Sequence, residues 1–378
     1  LTAIVFKALQ LLGESSMVSS SNHISSNHWQ ALNPRLEIDL QKIRTNAQAV
    51  AELCSKVGVE VVGITKGCTG SPEIARAMLS GGVRVLGDSR LLNILRLKNA
   101  GFNVPLFLIR SPMPSEIEQV VELADASVNI DVSVLRCLAN AARKQGKQHH
   151  VVLMVELGDQ REGVPVDQVI PLVNAIKHFD GIKISGIGAN IGCRSRIYPS
   201  SRHIQNLLDL RDHIKRETGI EIETVSAGGS AVLHLIESGD WPLGISQVRI
   251  GEAILLGLDG IEGRPIRGTT RDAFRLTAEV IEVKSWCSPV EKGSATNQGN
   301  MALIALGYQD IGTAKPVSLQ SGLIPRGATS DHLLVEVTHS QQLRVGQEVS
   351  FLLPYSGLVA AFTSRYVRKV FWEANETW

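Results

Sequence analysis

Between residues 59 and 250 the chain alternates short apolar runs with amphipathic stretches eight times over, a rhythm few folds accept. Runs rich in Val, Ile and Leu read as strands at 59–65, 83–87, 104–109, 127–130, 150–157, 182–189, 222–226 and 246–250. Segments near 72–80, 89–100, 114–124, 132–145, 166–178, 200–217 and 229–238 carry apolar residues at helical spacing. Pro72 and Pro114 stand at or near helix starts, where a missing N–H costs least. Strands that are apolar on both faces, each followed by a helix, call for a parallel sheet covered on both sides. Eight of them predict an α/β fold closed into a (β/α)8 TIM barrel. A doubly wound open sheet is the competitor. Against it, Gly63-Ile-Thr-Lys-Gly-Cys68 lacks the glycine spacing of a dinucleotide fingerprint.

The flanks differ from this core. Leu36-Glu-Ile-Asp-Leu40 alternates as a strand does, and Gln41 to Val57 is patterned as a helix. From about Thr270 the texture changes: 274–283, 301–306, 332–337 and 348–353 read as short strands between loops containing Gly, Pro and Ser. The expected division is a barrel over 33–263 and a C-terminal all-β domain over 264–378, with Arg264 to Arg271 as linker. Residues 1–32 stand apart. Leu1 to Leu12 is broken by Lys7, is too short to span a bilayer and lacks the basic start of a signal peptide. Ser15 to His28 is rich in Ser, Asn and His, the composition of a disordered tail. Because the first residue is not Met, this segment also reads as a start-site artefact with Met17 the true start.

A net charge of +1 leaves no footprint for nucleic acid or an anionic membrane surface. The five cysteines, at 54, 68, 137, 193 and 287, form neither a metal-spaced pair nor a disulfide framework. That usage points to a reducing compartment and a cytoplasmic protein, with no metal.

In a barrel of this kind the chemistry sits at the C-terminal strand ends. There, Val59-Glu-Val-Val-Gly-Ile-Thr-Lys-Gly67 ends on Lys66, a residue type rarely buried without a purpose. Either it snorkels into water, or it holds a carbonyl cofactor as a Schiff base. Gly186-Ile-Gly-Ala-Asn-Ile-Gly-Cys193 closes the sixth barrel strand with Asn190 and the Cys193 thiol. Val225-Ser-Ala-Gly-Gly-Ser230 closes the seventh and opens a helix, which makes a phosphate seat or simply a tight turn. Arg249 ends the eighth in apolar surroundings, so it needs acceptors: a ligand, or Glu252 or Asp88. Arg161, after the fifth strand, suits a carboxylate clamp, the plain alternative being a solvated loop charge.

Taken together, Thr65-Lys66, Gly87-Asp-Ser-Arg90, Leu157-Gly-Asp-Gln-Arg-Glu-Gly163, Gly188-Ala-Asn190, Ser226-Ala-Gly-Gly-Ser230 and Arg249-Ile-Gly-Glu-Ala-Ile-Leu-Leu-Gly257 resemble the alanine racemase superfamily of pyridoxal phosphate (PLP) enzymes. Within it they most resemble the ornithine racemase-like branch. The likeness runs through Ser330-Asp-His-Leu-Leu-Val335 and Pro354-Tyr-Ser-Gly-Leu358, covering roughly residues 34 to 370. It implies a PLP-binding barrel with a C-terminal β domain, a head-to-tail homodimer, and a first strand at 36–40 that joins the β domain. By position Lys66 matches the Schiff-base lysine, Gly229, Ser230, Gly251 and Tyr355 the phosphate ligands, and Arg249 the arginine facing the pyridine nitrogen. Asn190 stands where alanine racemase has a ring-packing histidine.

The activity so implied is racemisation of an amino acid, most readily ornithine or another basic or broad-range substrate, by proton transfer at Cα between two bases. Lys66 serves one face. For the other, alanine racemase uses a tyrosine early in the β domain, where this chain has Ser285-Trp-Cys-Ser-Pro289 and no tyrosine until Tyr308. Cys193 is the nominee, with a buried structural thiol as the alternative. Glu162, Asp159 and Asp88 are the acids nominated to meet a diamino acid's far end. The competing functions are a non-racemising PLP-homeostasis protein, whose relatives lack a β domain, and a decarboxylase or aldolase on the same architecture, of which Arg249 disfavours the decarboxylase.

Overall fold

A computed structural model describes residues 33–195, 197–287, 298–338 and 342–373. The readings made for residues 1–32 and for Ser288 and Pro289 lie outside the described residues. The alternating region contains β2 to β9: Glu60–Ile64, Val85–Asp88, Leu106–Leu108, Ala126–Asn129, His149–Val155, Ile182–Ala189, Thr224–Ala227 and Gln247–Ile250. All pair in parallel, and the last closes on the first from Glu60↔Gln247 to Gly63↔Ile250. The result is a closed eight-stranded barrel.

Alternation along the strands fixes which side chains fill it. Val62, Ile64, Phe107, Val128, Val152 and Met154 form a buried cluster of their own inside the barrel. The opposite faces of the strands, with Val61, Leu86, Leu106, Leu153 and Ile187, join the larger core beneath the helices. Burying each of these side chains contributes about 1.5–3 kcal/mol. The barrel interior below its mouth is therefore a packed plug.

β1 (Arg35–Asp39) lies outside the barrel. It pairs antiparallel with β10 (Phe274–Cys287) and parallel with β16 (Arg368–Trp372), in register from Arg35↔Thr277 and Arg35↔Arg368. The rest of this eight-stranded sheet comprises β11 (Gln298–Ile304), β12 (Val317–Ser318), β13 (Leu323–Ala328), β14 (Leu333–Val337) and β15 (Glu348–Leu352). Three of its strands, β12, β13 and β16, are not predicted from the sequence. β12 is two residues long, and β13 carries Pro325 and Gly327 at a bulge, residues that read locally as loop.

After β1 the chain enters the helix Leu40–Ser55, whose first turn is capped by Asp39 accepting from the Lys42 N–H at 3.0 Å. From its buried face, Asn46 donates to the carbonyls of Ile254 and Thr270, and its Oδ1 accepts from the Thr270 N–H at 2.7 Å. One side chain so fastens the segment after the barrel to the helix that leads into it. No helix among the described residues is long and apolar enough to cross a membrane.

Candidate active site

A cavity of about 240 Å³ opens at the C-terminal mouth of the barrel. Its wall includes Lys66, Arg161, Asn190, Cys193, Gly229, Ser230, Arg249, Gly251 and Tyr355, the residues nominated from the sequence apart from the three acids Asp88, Asp159 and Glu162. Ile64 and Ile109, at the ends of β2 and β4, supply apolar wall.

Lys66 is held by what precedes it. β2 ends at Ile64, and the Thr65 N–H donates to Gly87 O at 2.9 Å while its hydroxyl donates to Asp88 Oδ2 at 2.7 Å. Lys66 then begins a single 3-10 turn that ends at Thr69 in the left-handed region, φ +52°. The turn stops the strand and leaves the lysine half-buried at the cavity wall. Burial and the nearby Arg161 guanidinium lower its amine pKa, opposed by Cys193, Asp88 and Glu162. A lowered pKa enlarges the neutral, nucleophilic fraction of the amine near neutral pH.

Arg249 is buried, and its guanidinium reaches carbonyls and a hydroxyl where an ion pair with Glu252 or Asp88 was the alternative. It donates to Ser226 O at 3.1 Å, Ser226 Oγ, Ala189 O at 2.7 Å and Asn190 Oδ1 at 3.2 Å. Gly188 makes this possible, because a Cβ there would meet Ser226 O at 2.9 Å and the guanidinium itself at 3.3 Å. Burial pulls the Arg249 pKa down to about 10, leaving it a cation at neutral pH. Asn190 in turn donates from Nδ2 to Glu162 Oε1 at 2.9 Å, and Arg161 Nη2 donates to the same oxygen at 2.7 Å.

The turn Gly228–Ala231 follows β8, the strand between β7 and β9, and Gly251 follows β9. The Ala253 N–H donates to Ser230 Oγ at 3.0 Å, joining the two turns and leaving the hydroxyl proton to be given elsewhere. A Cβ on Gly229 would meet only Arg249 O, at 3.4 Å, so a side chain there would take ligand space. Tyr355 begins the helix Tyr355–Thr363 of the β domain and packs over Gly67. Burial raises its pKa, which keeps the phenol a hydrogen-bond donor.

The three acids nominated for the far end of a substrate have other partners. Asp88 accepts from Thr65, from the Arg90 N–H and from Asn93. Asp159 is buried and accepts from the N–H groups of Arg194 and Ser195. Glu162 bridges Arg161 and Asn190. The carboxylates that do line the cavity are Glu252 and Asp259, which the sequence reading does not nominate for substrate. Asp259 had a legible signal in Asp259-Gly-Ile-Glu-Gly263: its Oδ1 takes the N–H groups of Ile261 and Gly263, an Asx-turn. Among the described residues no group of three or more His, Cys, Asp or Glu is arranged to hold a metal ion.

The family model for the alanine racemase N-terminal domain matches residues 38–259. A lysine racemase of Thermotoga maritima is 36% identical over 350 residues, spanning 89% of this chain and 98% of its own length. An ornithine racemase of Acetoanaerobium sticklandii is 33% identical over 350 residues, spanning 89% and 99%. Among solved structures, the alanine racemase of Streptomyces coelicolor A3(2) has the same fold, with a TM-score of 0.73 at 19% identity over 92% of this chain and 100% of that one. With a matched segment that takes in all eight barrel strands and the lysine, asparagine, glycine–serine turn and arginine of the mouth, the chain belongs to the alanine racemase family.

Proposed function

We propose that the protein is a PLP-dependent racemase of amino acids with a cationic side chain. One observation carries this: Lys66, the buried Arg249 and the Gly229–Ser230 turn line a single cavity at the barrel mouth. The lysine and ornithine racemases among its relatives support a basic amino acid as substrate.

The residues present suit the cofactor. The amine of Lys66 is the covalent anchor for its aldehyde, and its lowered pKa favours that bond. Gly229, Ser230, Gly251 and Tyr355 hold the phosphate, with the space beside Gly229 left open to receive it. Arg249 and Asn190 would lie against the cofactor's ring. When bound, PLP supplies the delocalisation that makes a substrate Cα proton acidic.

The chain supplies the rest. Lys66 Nζ takes or returns the proton on one face of Cα, and Cys193 Sγ is assigned to the other. Cys193 is exposed at the mouth, within electrostatic reach of Lys66, Arg161 and Arg249. Arg161 orients the substrate carboxylate, which keeps the two faces of Cα aligned with the two bases. Arg249, held as a cation by neutral acceptors, opposes a second positive charge beside it. A second copy of the chain, arranged head to tail, completes the mouth in this assignment.

The test is incubation of the purified protein and PLP with single L-amino acids, the products being separated by chiral chromatography. D-lysine or D-ornithine is expected, ahead of D-alanine. Lys66→Ala is expected to abolish both the cofactor's absorbance band and turnover. Cofactor uptake with no inversion of any amino acid overturns the assignment.

A further inference from the structure

We propose that Glu162 is a positioning residue: it fixes the Asn190 amide in the orientation that can receive Arg249, and thereby sets where the cavity's fixed positive charge sits. This rests on the cavity being the cofactor site, and it concerns a side chain that does not line the cavity.

An asparagine amide is nearly symmetric in shape, so its partners decide which end faces where. Asn190 has one partner that can only donate, the Arg249 guanidinium on its Oδ1 at 3.2 Å. Its other partner, the Glu162 carboxylate, accepts from Nδ2 at 2.9 Å. A flip would set N–H against N–H on one side and oxygen against carboxylate on the other. Glu162 therefore makes the present orientation the only one with both bonds satisfied.

Glu162 is itself held in place. Arg161 donates to it through both Nε and Nη2, a two-pronged pair that the carboxylate cannot rotate out of without losing both bonds. The loop beneath is stitched to its neighbours. Glu156 accepts the N–H groups of Gly158 and Gln160. Asp159 accepts the N–H groups of Arg194 and Ser195, from the same loop that carries Asn190. The links from rim to wall thus run Arg161, Glu162, Asn190, Arg249, alternating cation, anion, dipole and cation. Glu162 is also a carboxylate set against both Arg161 and Arg249, and it faces Lys66 together with Asp88 and Cys193. Without it the amide loses its preferred orientation, Arg249 loses an acceptor, and Arg161 acts on Lys66 without that counter-charge.

The experiment is a double-mutant cycle with Glu162→Gln, Asn190→Asp and the two combined, each measured with and without PLP. Glu162→Gln sets amide against amide, and Asn190→Asp sets carboxylate against carboxylate. The pair moves the negative charge one link toward Arg249 and restores a donor facing an acceptor between positions 162 and 190, at the loss of the Arg161 Nη2 bond to the oxygen that the amide nitrogen replaces. Each single variant is expected to weaken PLP binding roughly tenfold and to shift the cofactor's absorbance maximum, with the pair returning to within about threefold of the parent. Additive losses in the pair overturn the proposal. So does coupling seen in the unfolding midpoint alone with the absorbance maximum unmoved, since that outcome marks a merely structural contact. A parent protein that takes up no PLP overturns the cofactor reading instead, so the two failures are distinguishable.

Discussion

The ring of Tyr355 lies directly over the backbone of Gly67, the residue after Lys66, so closely that a methyl group on Gly67 would meet Tyr355 Cε2 at 3.0 Å and its hydroxyl oxygen at 3.1 Å. The β domain reaches the barrel mouth through this contact. Leu255 Cδ1, at 3.1 Å from the same point, closes the other escape. Gly67→Ala therefore has to displace either the phenol or the turn that carries Lys66. The expected result is a loss of PLP affinity of about tenfold or more with little change in overall stability, read by titrating the cofactor against its absorbance. Tyr355→Phe, which keeps the ring and removes the donor, is expected to lose affinity without disturbing the turn, by the ~1.5–3 kcal/mol of a hydrogen bond to a charged group.

Enantiomers of an amino acid have equal free energies, so a racemase variant must keep kcat/KM equal in both directions whatever residue is changed. Rates alone therefore cannot say which face Cys193 serves; isotope exchange can. In Cys193→Ser the second group is a hydroxyl, far too weak an acid to be ionised near neutral pH. Racemisation is expected to fall by about 10²–10⁴. Lys66 should still exchange the Cα proton of one enantiomer with solvent deuterium, with retention of configuration. Wild-type rates in both directions would dismiss Cys193 as the second base.

The barrel was legible because its signal is local: each buried run of Val, Ile and Leu is a few residues long and is followed at once by its helix. The mouth was legible in part for the same reason, since Lys66, Ser230 and Arg249 each stand where a strand ends. What was not legible is contact between distant segments. Nothing near Gly188 in sequence says that it must lack a side chain; the reason is Ser226 O on β8 and the Arg249 guanidinium, which reaches across β8 from β9. Glu162 and Asn190 likewise lie on different strand ends and meet only in the folded barrel. In the β domain, β16 owes its place to pairing with β1 at the other end of the described chain.

Asn46 offers a stability test away from the site. It is buried and satisfies two carbonyls and one N–H, on Ile254 and Thr270, with a single side chain. Asn46→Ala leaves those groups without partners, which is expected to cost roughly 2–4 kcal/mol, measured by denaturant unfolding. Asn46→Asp is expected to cost more, because an ionised carboxylate would face two carbonyl oxygens it cannot donate to. Equal losses in the two variants would show that the side chain's volume matters and its hydrogen bonds do not.

His149 should make the fold sensitive to mild acid. It is buried, its Nε2 lies 2.8 Å from Ser127 Oγ, and Asn129 Nδ2 donates to the same hydroxyl at 3.0 Å. Burial, with the neighbouring His150, pulls the imidazole pKa down to about 4 from an ordinary 6.5. A folded-state pKa below the unfolded value means that the unfolded chain takes up the proton first as pH falls. The stabilisation is whole above pH 6.5 and is lost progressively down to about 4. The limiting slope for one proton is about 1.4 kcal/mol per pH unit, so the window is worth on the order of 3 kcal/mol. The carboxylate of Glu348, paired with Arg35 and held down from 4.5 to about 2, loses its stabilisation between those values, mostly below that window, and its exposure makes its share small. His149→Gln, which can still bond Ser127 but does not titrate, is expected to flatten the fall of the unfolding midpoint between pH 6.5 and 4 while leaving the steeper loss at lower pH in place. If the variant's midpoint falls as steeply as the parent's across that window, His149 is not the group responsible.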